Sequence, residues 1–275
     1  MKVNTNPLSL LAQRRLGQVA RRQEEESLRL SSGNRVYRAA FDPAGLAISA
    51  KLNAKSVSNL QAQRNVNDGV SLLQVAEGTL DTLHKIGGRL RELAMQAAND
   101  TVGVHEREIA NREFVSLKDE VKRLTSSTKF NGNHILNGKG SVYDIQIGVN
   151  NNNREDRVSY NLEDVLKSAN NFGLASVNIT SKVGAQNSFR AIDGMLEEIS
   201  SSRAKLGSAM NRMTSSLNNL QIHRENVEKS KSKIQDADVA KEASDHAKDE
   251  IIKNATLDML RLVNQSPSHV AKLLG

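Results

Sequence analysis

Residues 192–234 read IDGMLEEISSSRAKLGSAMNRMTSSLNNLQIHRENVEKSKSKI. Apolar residues return at every seventh position: Ile192, Ile199, Leu206, Met213, Leu220, Val227 and Ile234. A heptad row sustained this long draws a narrow apolar stripe along a helix, aimed at another helix. The companion row holds Leu196, Met210 and Leu217 but also Arg203, Arg224 and Lys231. That mixture predicts a seam in a mixed bundle, not an ideal zipper.

Towards the C-terminus the helical pattern resumes after Asp236 and Asp238, through Ala243, Ala247, Ile251, Ala255, Met259 and Leu262. It is expected to stop at Ser266-Pro267, leaving a tail with Val270, Leu273 and Leu274. Towards the N-terminus, Asn6-Pro7 and Asp42-Pro43 each read as an N-cap followed by proline at the first helical position. Ser32-Gly33-Asn34 is a stop signal between them. From Ala44 to Asn99 there is no proline, and Leu73, Leu80, Leu83, Ile86, Leu90 and Leu93 share one helical face. Gly87-Gly88 marks either a close helix contact or a break. A third helix follows Asn99-Asp100, with Phe114, Leu117, Val121 and Leu124 on its inner face.

The middle of the chain changes character. Asn131-Gly132, Asn137-Gly138 and Gly140 are turn signals. Ile145, Ile147 and Val149 alternate with polar residues, four asparagines follow (Asn150 to Asn153), and Val158, Tyr160 and Leu162 alternate again. That pattern predicts a β-hairpin with a polar loop.

The expected fold is mainly α: an elongated rod of long antiparallel helices, a terminal coiled coil and a small central β-hairpin insert. A helix over 44–99 would be about 84 Å long, whereas a compact chain of this length has a radius of gyration of roughly 19 Å. The expected organisation is an inner coiled-coil segment over 1–41, a helical rod over 42–127, the β insert over 128–187, the returning rod over 188–234, and a second inner coiled-coil segment over 235–275. Leu8, Leu11, Leu16, Val19, Ile251, Met259, Leu262, Val263, Val270, Leu273 and Leu274 are the candidate self-assembly residues. The rod seam is expected to join Leu73, Leu80, Leu90, Leu117, Val121 and Leu124 to the heptad row.

Composition narrows the function. The chain has five phenylalanines, three tyrosines and no tryptophan, little aromatic bulk for one compact core and more suited to thin bundles. It has no cysteine, which excludes disulfides, thiolate chemistry and cysteine-based metal sites. No run of about 18 apolar residues exists to cross a membrane. Lys2, Asn4, Thr5, Asn6 and Pro7 provide no apolar signal region, so no cleaved signal peptide is expected. The net charge of +7 is spread along the chain, which weakens a nucleic-acid reading. His105-Glu106 lacks the second histidine of a zinc-protease helix, Ile109 standing in its place, and the other histidines are scattered. Neither a catalytic nor a metal site is expected, and no cofactor.

Several ordered motifs resemble those of bacterial flagellin. At the N-terminal end they are Arg29-Leu30-Ser31-Ser32-Gly33-Asn34-Arg35, Asp42-Pro43-Ala44-Gly45-Leu46-Ala47-Ile48, Asn65-Val66-Asn67-Asp68-Gly69 and Thr128-Lys129-Phe130-Asn131-Gly132. At the other end they are Arg203-Ala204-Lys205-Leu206-Gly207-Ser208, Ile234-Gln235-Asp236-Ala237-Asp238 and Asn264-Gln265-Ser266-Pro267. The resemblance covers about residues 3–135 and 189–274. It implies a structural subunit of the flagellar filament with a minimal central region. It also implies a homo-oligomeric helical polymer, pure or mixed with other flagellins, outside the cell. The partners implied are the flagellar type III export apparatus, an export chaperone, and the cap and junction proteins. Arg89, Leu93 and Glu113 resemble the family's Toll-like receptor 5 contact motif, expected to be mostly covered between subunits; rod packing alone is the competing reading.

One feature departs from the family: Arg14, Arg15, Arg21 and Arg22 precede Glu24, Glu25 and Glu26 in a helix that is usually uncharged. Pairing of Arg21 with Glu25 and Arg22 with Glu26 along the helix is the simplest expectation; the other is that the charges tune packing of the inner helices. Two other functions stay open. A hook–filament junction protein has similar end helices, and Asp42-Pro43 leans its way, whereas Asn264-Gln265-Ser266-Pro267 and the short insert favour flagellin. A basic coiled coil that binds nucleic acid would show salt-dependent DNA affinity and no self-assembly.

Overall fold

The computed structural model describes residues 6–137, 142–161 and 172–274, with the side chains of 160, 161 and 266–274 outside that description. Among them are five helices: α1 (Pro7–Ser32), α2 (Pro43–Ala97), α3 (Val104–Ser127), α4 (Lys182–Gln235) and α5 (Val239–Leu274). Two antiparallel strand pairs are also among them, β1 (Lys129–Phe130) with β2 (Asn133–His134) and β3 (Val142–Gln146) with β4 (Arg157–Asn161). The fold is mainly α, as the periodicities predict. α2 has 55 residues and α4 has 54, about 80 Å each. The chain divides into two compact units, one made of Met1–Ser56 with Glu225–Gly275 and the other of Val57–Arg224.

In the unit formed by the two chain ends, local signals set the helix boundaries. Asn6 caps α1, its side chain accepting from the Ser9 N–H at 3.4 Å, with Pro7 at the first helical position. Gly33 ends α1 in the left-handed conformation (φ +68°), its N–H donating to the Arg29 carbonyl at 2.8 Å. Asp42 caps α2 by accepting from the Gly45 N–H at 2.7 Å. α5 departs from expectation, running through Ser266-Pro267 to Leu274. Proline forfeits its own backbone bond and crowds the carbonyl four residues back. Here the good helix formers Ala271, Lys272, Leu273 and Leu274 carry the winding on.

The central unit holds one apolar core. Leu73, Leu80, Leu83, Leu90 and Leu93 of α2, Phe114 and Val121 of α3, and Ile192, Ile199, Leu206 and Met213 of α4 are all buried in it. Leu117, Leu124 and Leu220 are half-buried at its rim. Arg203 explains its own presence in the seam. Its guanidinium reaches Asp81 at 3.3 Å and Glu77 at 3.7 Å on α2, the seam use of charge that fixes register at little cost in burial. α2 is unbroken at Gly87-Gly88. A Cβ on Gly87 would stand 2.6 Å from Met195 Cε and 2.7 Å from Leu196 Cδ2, so this glycine lets α4 approach closely.

The Asn131-Gly132 turn and the polar asparagine loop each join a hairpin. Asn131 (φ +48°) and Gly132 (φ +82°) join β1 to β2 in the double left-handed conformation that two-residue hairpins favour. In the larger hairpin Ile145 stands opposite Val158 and Tyr143 opposite Tyr160. β3 ends at Gln146, so the strand lies earlier than the Ile145, Ile147 and Val149 alternation predicts. The loop chemistry ends it there: the Ile147 and Gly148 N–H groups both donate to the Asp156 carbonyl, and Arg157 ties down Asn151 and Asn153. Gly138, Gly140 and Leu162 lie outside the described residues. α4 starts at Lys182, ahead of the predicted 188, because the Ser181 hydroxyl accepts from the Gly184 N–H at 3.0 Å and caps it.

Candidate self-assembly surface

α1 and α5 lie antiparallel, and polar groups hold them in register. At one end the Asn6 side-chain amide donates to the Val263 carbonyl and the Ser9 hydroxyl to Asn264 Oδ1. Further along, Arg22 makes two hydrogen bonds to Asp249, at 2.8 and 3.0 Å. Arg29 meets Glu242 at 3.4 Å. At the far end the Arg35 N–H donates to the Gln235 carbonyl.

For Arg22 the expected pairing along α1 is therefore corrected: it reaches across to Asp249 of α5, not to Glu26, and so bears on how the two helices pack. The reason is burial. Asp249 and Glu242 are almost fully covered by the helix pair, and a covered carboxylate needs a charged partner. An exposed pair within one helix gains only tenths of a kcal/mol. Glu26 is left between the two bridges, buried, its Oε2 without a hydrogen-bond partner among the described residues. Burial holds its carboxyl above the ordinary glutamate value, and the neighbouring Asp249 adds to the effect. His246, Asp245 and Glu242 also face it; the histidine acts in the opposite sense.

The apolar candidates divide into two sets. Val19 is fully buried, and Leu16 and Val263 are half-buried. Leu8 (62% exposed), Leu11 (59%), Ile251 (70%), Met259 (59%) and Leu262 (63%) face solvent. The side chains of Val270, Leu273 and Leu274 lie outside the described residues. Ala243, Ala247 and Ala255 are exposed along the same side of α5 as Ile251. One chain thus sets the register of its terminal helices through polar and charged pairs and leaves Leu8, Leu11, Ile251, Met259 and Leu262 uncovered. A patch of that kind marks an interaction surface. Sequence reasoning missed Arg22, Arg29, Glu242 and Asp249 as a set. The signal was available: the two arginines and the two acids are each seven residues apart.

In the central unit, Arg89 Nε donates to Glu113 at 2.8 Å and Nη1 to Glu92 at 2.9 Å. Arg89 and Glu113 are exposed, with Leu93 buried beneath them at 2%. Among the described residues no group of histidines or carboxylates could hold a metal ion, and no helix is long and apolar enough to cross a membrane.

Long helices with heptad seams, a charge-registered terminal pair and uncovered apolar faces define a self-assembling helical structural subunit. The family follows from sequence comparison. The bacterial flagellin N-terminal helical region matches residues 3–141 and the C-terminal helical region residues 189–274. The chain is 36% identical to a flagellin of Halalkalibacterium halodurans over 274 residues, with all of both chains covered. It is 33% identical to a flagellin of Bacillus subtilis, again across both full chains. The crystal structure of Bacillus cereus flagellin covers 57% of this chain and 88% of its own, with a TM-score of 0.51 and 30% identity. A hook-associated protein structure from Vibrio parahaemolyticus has a TM-score of 0.58 at 14% identity, a likeness of fold alone. The chain belongs to the bacterial flagellin family. It is a structural subunit of the extracellular flagellar filament, self-assembling and serving motility, and not an enzyme. The junction-protein and nucleic-acid readings are not favoured.

Proposed function

We propose that α1 and α5 form the inner assembly surface of the filament, and that the α2–α3–α4 seam forms the rod around it. The observation that carries this reading is the exposure of Leu8, Leu11, Ile251, Met259 and Leu262 on a helix pair held by ion pairs. Burying such side chains against other copies yields roughly 1.5–3 kcal/mol each, a gain available only in the polymer. On this reading 1–41 and 235–275 are the inner segments, 42–127 and 188–234 the rod, and 128–187 the short insert. The subunit leaves the cell through the flagellar type III export channel, handled by an export chaperone, and is added beneath the cap onto the junction proteins. A cysteine-free chain, with no disulfide to form, suits passage as an extended thread. Other flagellins could share the filament where the same faces recur.

Electron microscopy of seeded, purified protein tests the reading, beside a chain lacking residues 1–33. Filaments from the full chain and none from the truncation are expected. A full chain that stays monomeric under every seeding condition would overturn it.

Arg89, Leu93 and Glu113 serve rod packing first on this reading, with the exposed Arg89–Glu113 pair the face a Toll-like receptor 5 contact would use on free subunits. Receptor signalling should then be stronger from monomer than from an equal mass of filament.

A further inference from the structure

The bridges between α1 and α5 have a fixed step. Arg29 meets Glu242 and Arg22 meets Asp249, so seven residues back along α1 correspond to seven forward along α5. The next step sets Arg15 opposite Thr256. Thr256 is uncharged, and its hydroxyl is already spent on the Ile252 carbonyl at 2.7 Å. Arg14 and Arg15 are exposed and have no ion-pair partner among the described residues. Here the ladder lacks a rung, and a groove of about 660 Å³ opens between the helices. Leu8, Leu11, Ile252, Met259 and Val263 line it, with Arg14 and Arg15 beside them. An apolar groove edged by two unpaired guanidiniums fits a helix that offers apolar side chains and a carboxylate.

α5 itself carries such a face. Ile251, Asp258 and Leu262 stand at i, i+7 and i+11, within about 40° of one another at 100° per residue. All three are exposed. Of the α5 residues that line the groove, Ile252, Thr256 and Val263 point about a third of a turn away, and Ala255 and Met259 fall between them and this face. Groove and face adjoin on α5 but are centred in different directions, and a contact between two such non-identical surfaces generates a helical polymer where its rotation does not close. Among the described residues Asp258 pairs with Arg261 alone, one turn on, an exposed pair at 3.1 Å that costs little to exchange.

We propose that the α1–α5 groove receives the Ile251–Asp258–Leu262 face of α5 from a second copy of this chain, with Arg15 taking the Asp258 carboxylate as the missing rung and Arg14 supporting it. The proposal rests on the filament reading and adds which faces meet.

Seeded growth of the full chain tests it through Arg15→Glu, Asp258→Arg, the double variant, and Arg21→Glu as a control of equal charge change on the same helix. Far-UV circular dichroism of each monomer checks that the central unit is folded. One lost pair made repulsive should raise the critical concentration about tenfold or more in each single variant, with the double variant returning to within about threefold of the parent. Arg21→Glu should stay near the parent. The proposal is overturned if Arg15→Glu grows like the parent, if Arg21→Glu is equally impaired, or if the double variant fails to recover while Arg21→Glu grows normally. Failure of the parent chain to grow on seeds would overturn the filament reading, and this proposal with it, and is told apart by requiring no variant.

Discussion

Arg22 and Asp249 lie 227 residues apart in sequence and meet through two hydrogen bonds, at 2.8 and 3.0 Å. The arginine is 46% exposed and the aspartate 8%, so the two ends of this bond are not equivalent. Replacing Arg22 by alanine strands a covered carboxylate beside Glu26 and should cost about 1–3 kcal/mol. Replacing Asp249 by alanine frees an arginine that water can reach and removes a repulsion on Glu26, so it should cost less than about 1 kcal/mol. Thermal dissociation of filaments assembled from each variant measures the difference. Equal losses would mean that the pair acts as an ordinary surface bridge.

Glu26 gives a pH dependence of defined sign. Its carboxyl titrates above the ordinary glutamate value because the helix pair buries it and Asp249 faces it. A carboxyl raised on folding favours the protonated folded state. Its contribution is fully present below the ordinary glutamate value and is lost as pH rises through the raised one. Glu26→Gln should therefore stabilise the α1–α5 pair at neutral pH, with the advantage shrinking as the medium is acidified. The carboxylates Asp81, Asp100, Glu120 and Glu225 shift the other way through their hydrogen bonds to Lys85, Lys182, Arg123 and Lys229. They are common to both chains and cancel in the difference. Filament dissociation followed across pH for both chains decides it: an advantage that grows on acidification would show the sign to be wrong.

These two residues also show where the sequence stopped being legible. The heptad row from Ile192 to Ile234 could be read because an apolar side chain on a helix has one cheap destination, the seam. Asn6-Pro7, Gly33 and Asn131-Gly132 could be read because each acts on its own backbone. Arg22 could not be placed by the same means. A charged residue has several acceptable partners within reach, and Glu26, four residues on, is the nearest in sequence. Only the covered acid across the helix pair decides between them, and that depends on the register of two segments from opposite ends of the chain. The end of α5 failed for a related reason: Pro267 lowers helical preference locally, but the residues on both sides of it set the outcome.

Gly33 offers a local test. It holds φ +68°, donates to the Arg29 carbonyl and accepts from the Ala237 N–H at 2.9 Å. An alanine there must take the left-handed conformation, at about 1–2 kcal/mol. Asparagine tolerates that region better, so Gly33→Asn should lose distinctly less than Gly33→Ala. Filament melting ranks the three chains. Alanine no worse than asparagine would mean that the turn relaxes out of its left-handed geometry.

Phe114 and Leu117 share the inner face of α3 but differ in depth. Phe114 is fully buried, with the Lys118 ammonium 5.8 Å from its ring centroid, whereas Leu117 is half-buried. Truncating Phe114 to alanine removes a fully buried ring from the core it shares with α2 and α4 residues, and the long helices cannot both close on the space. The loss should be about 3–5 kcal/mol. Leu117→Ala lies at the rim, where water can refill part of the gap, and should fall at or below the low end of the buried-leucine range, about 2 kcal/mol. Urea unfolding of the monomer reads both through the shift in midpoint at constant slope. If the two truncations cost the same, the core is not centred where α2, α3 and α4 converge, and the heptad seam would have to carry the central unit without α3.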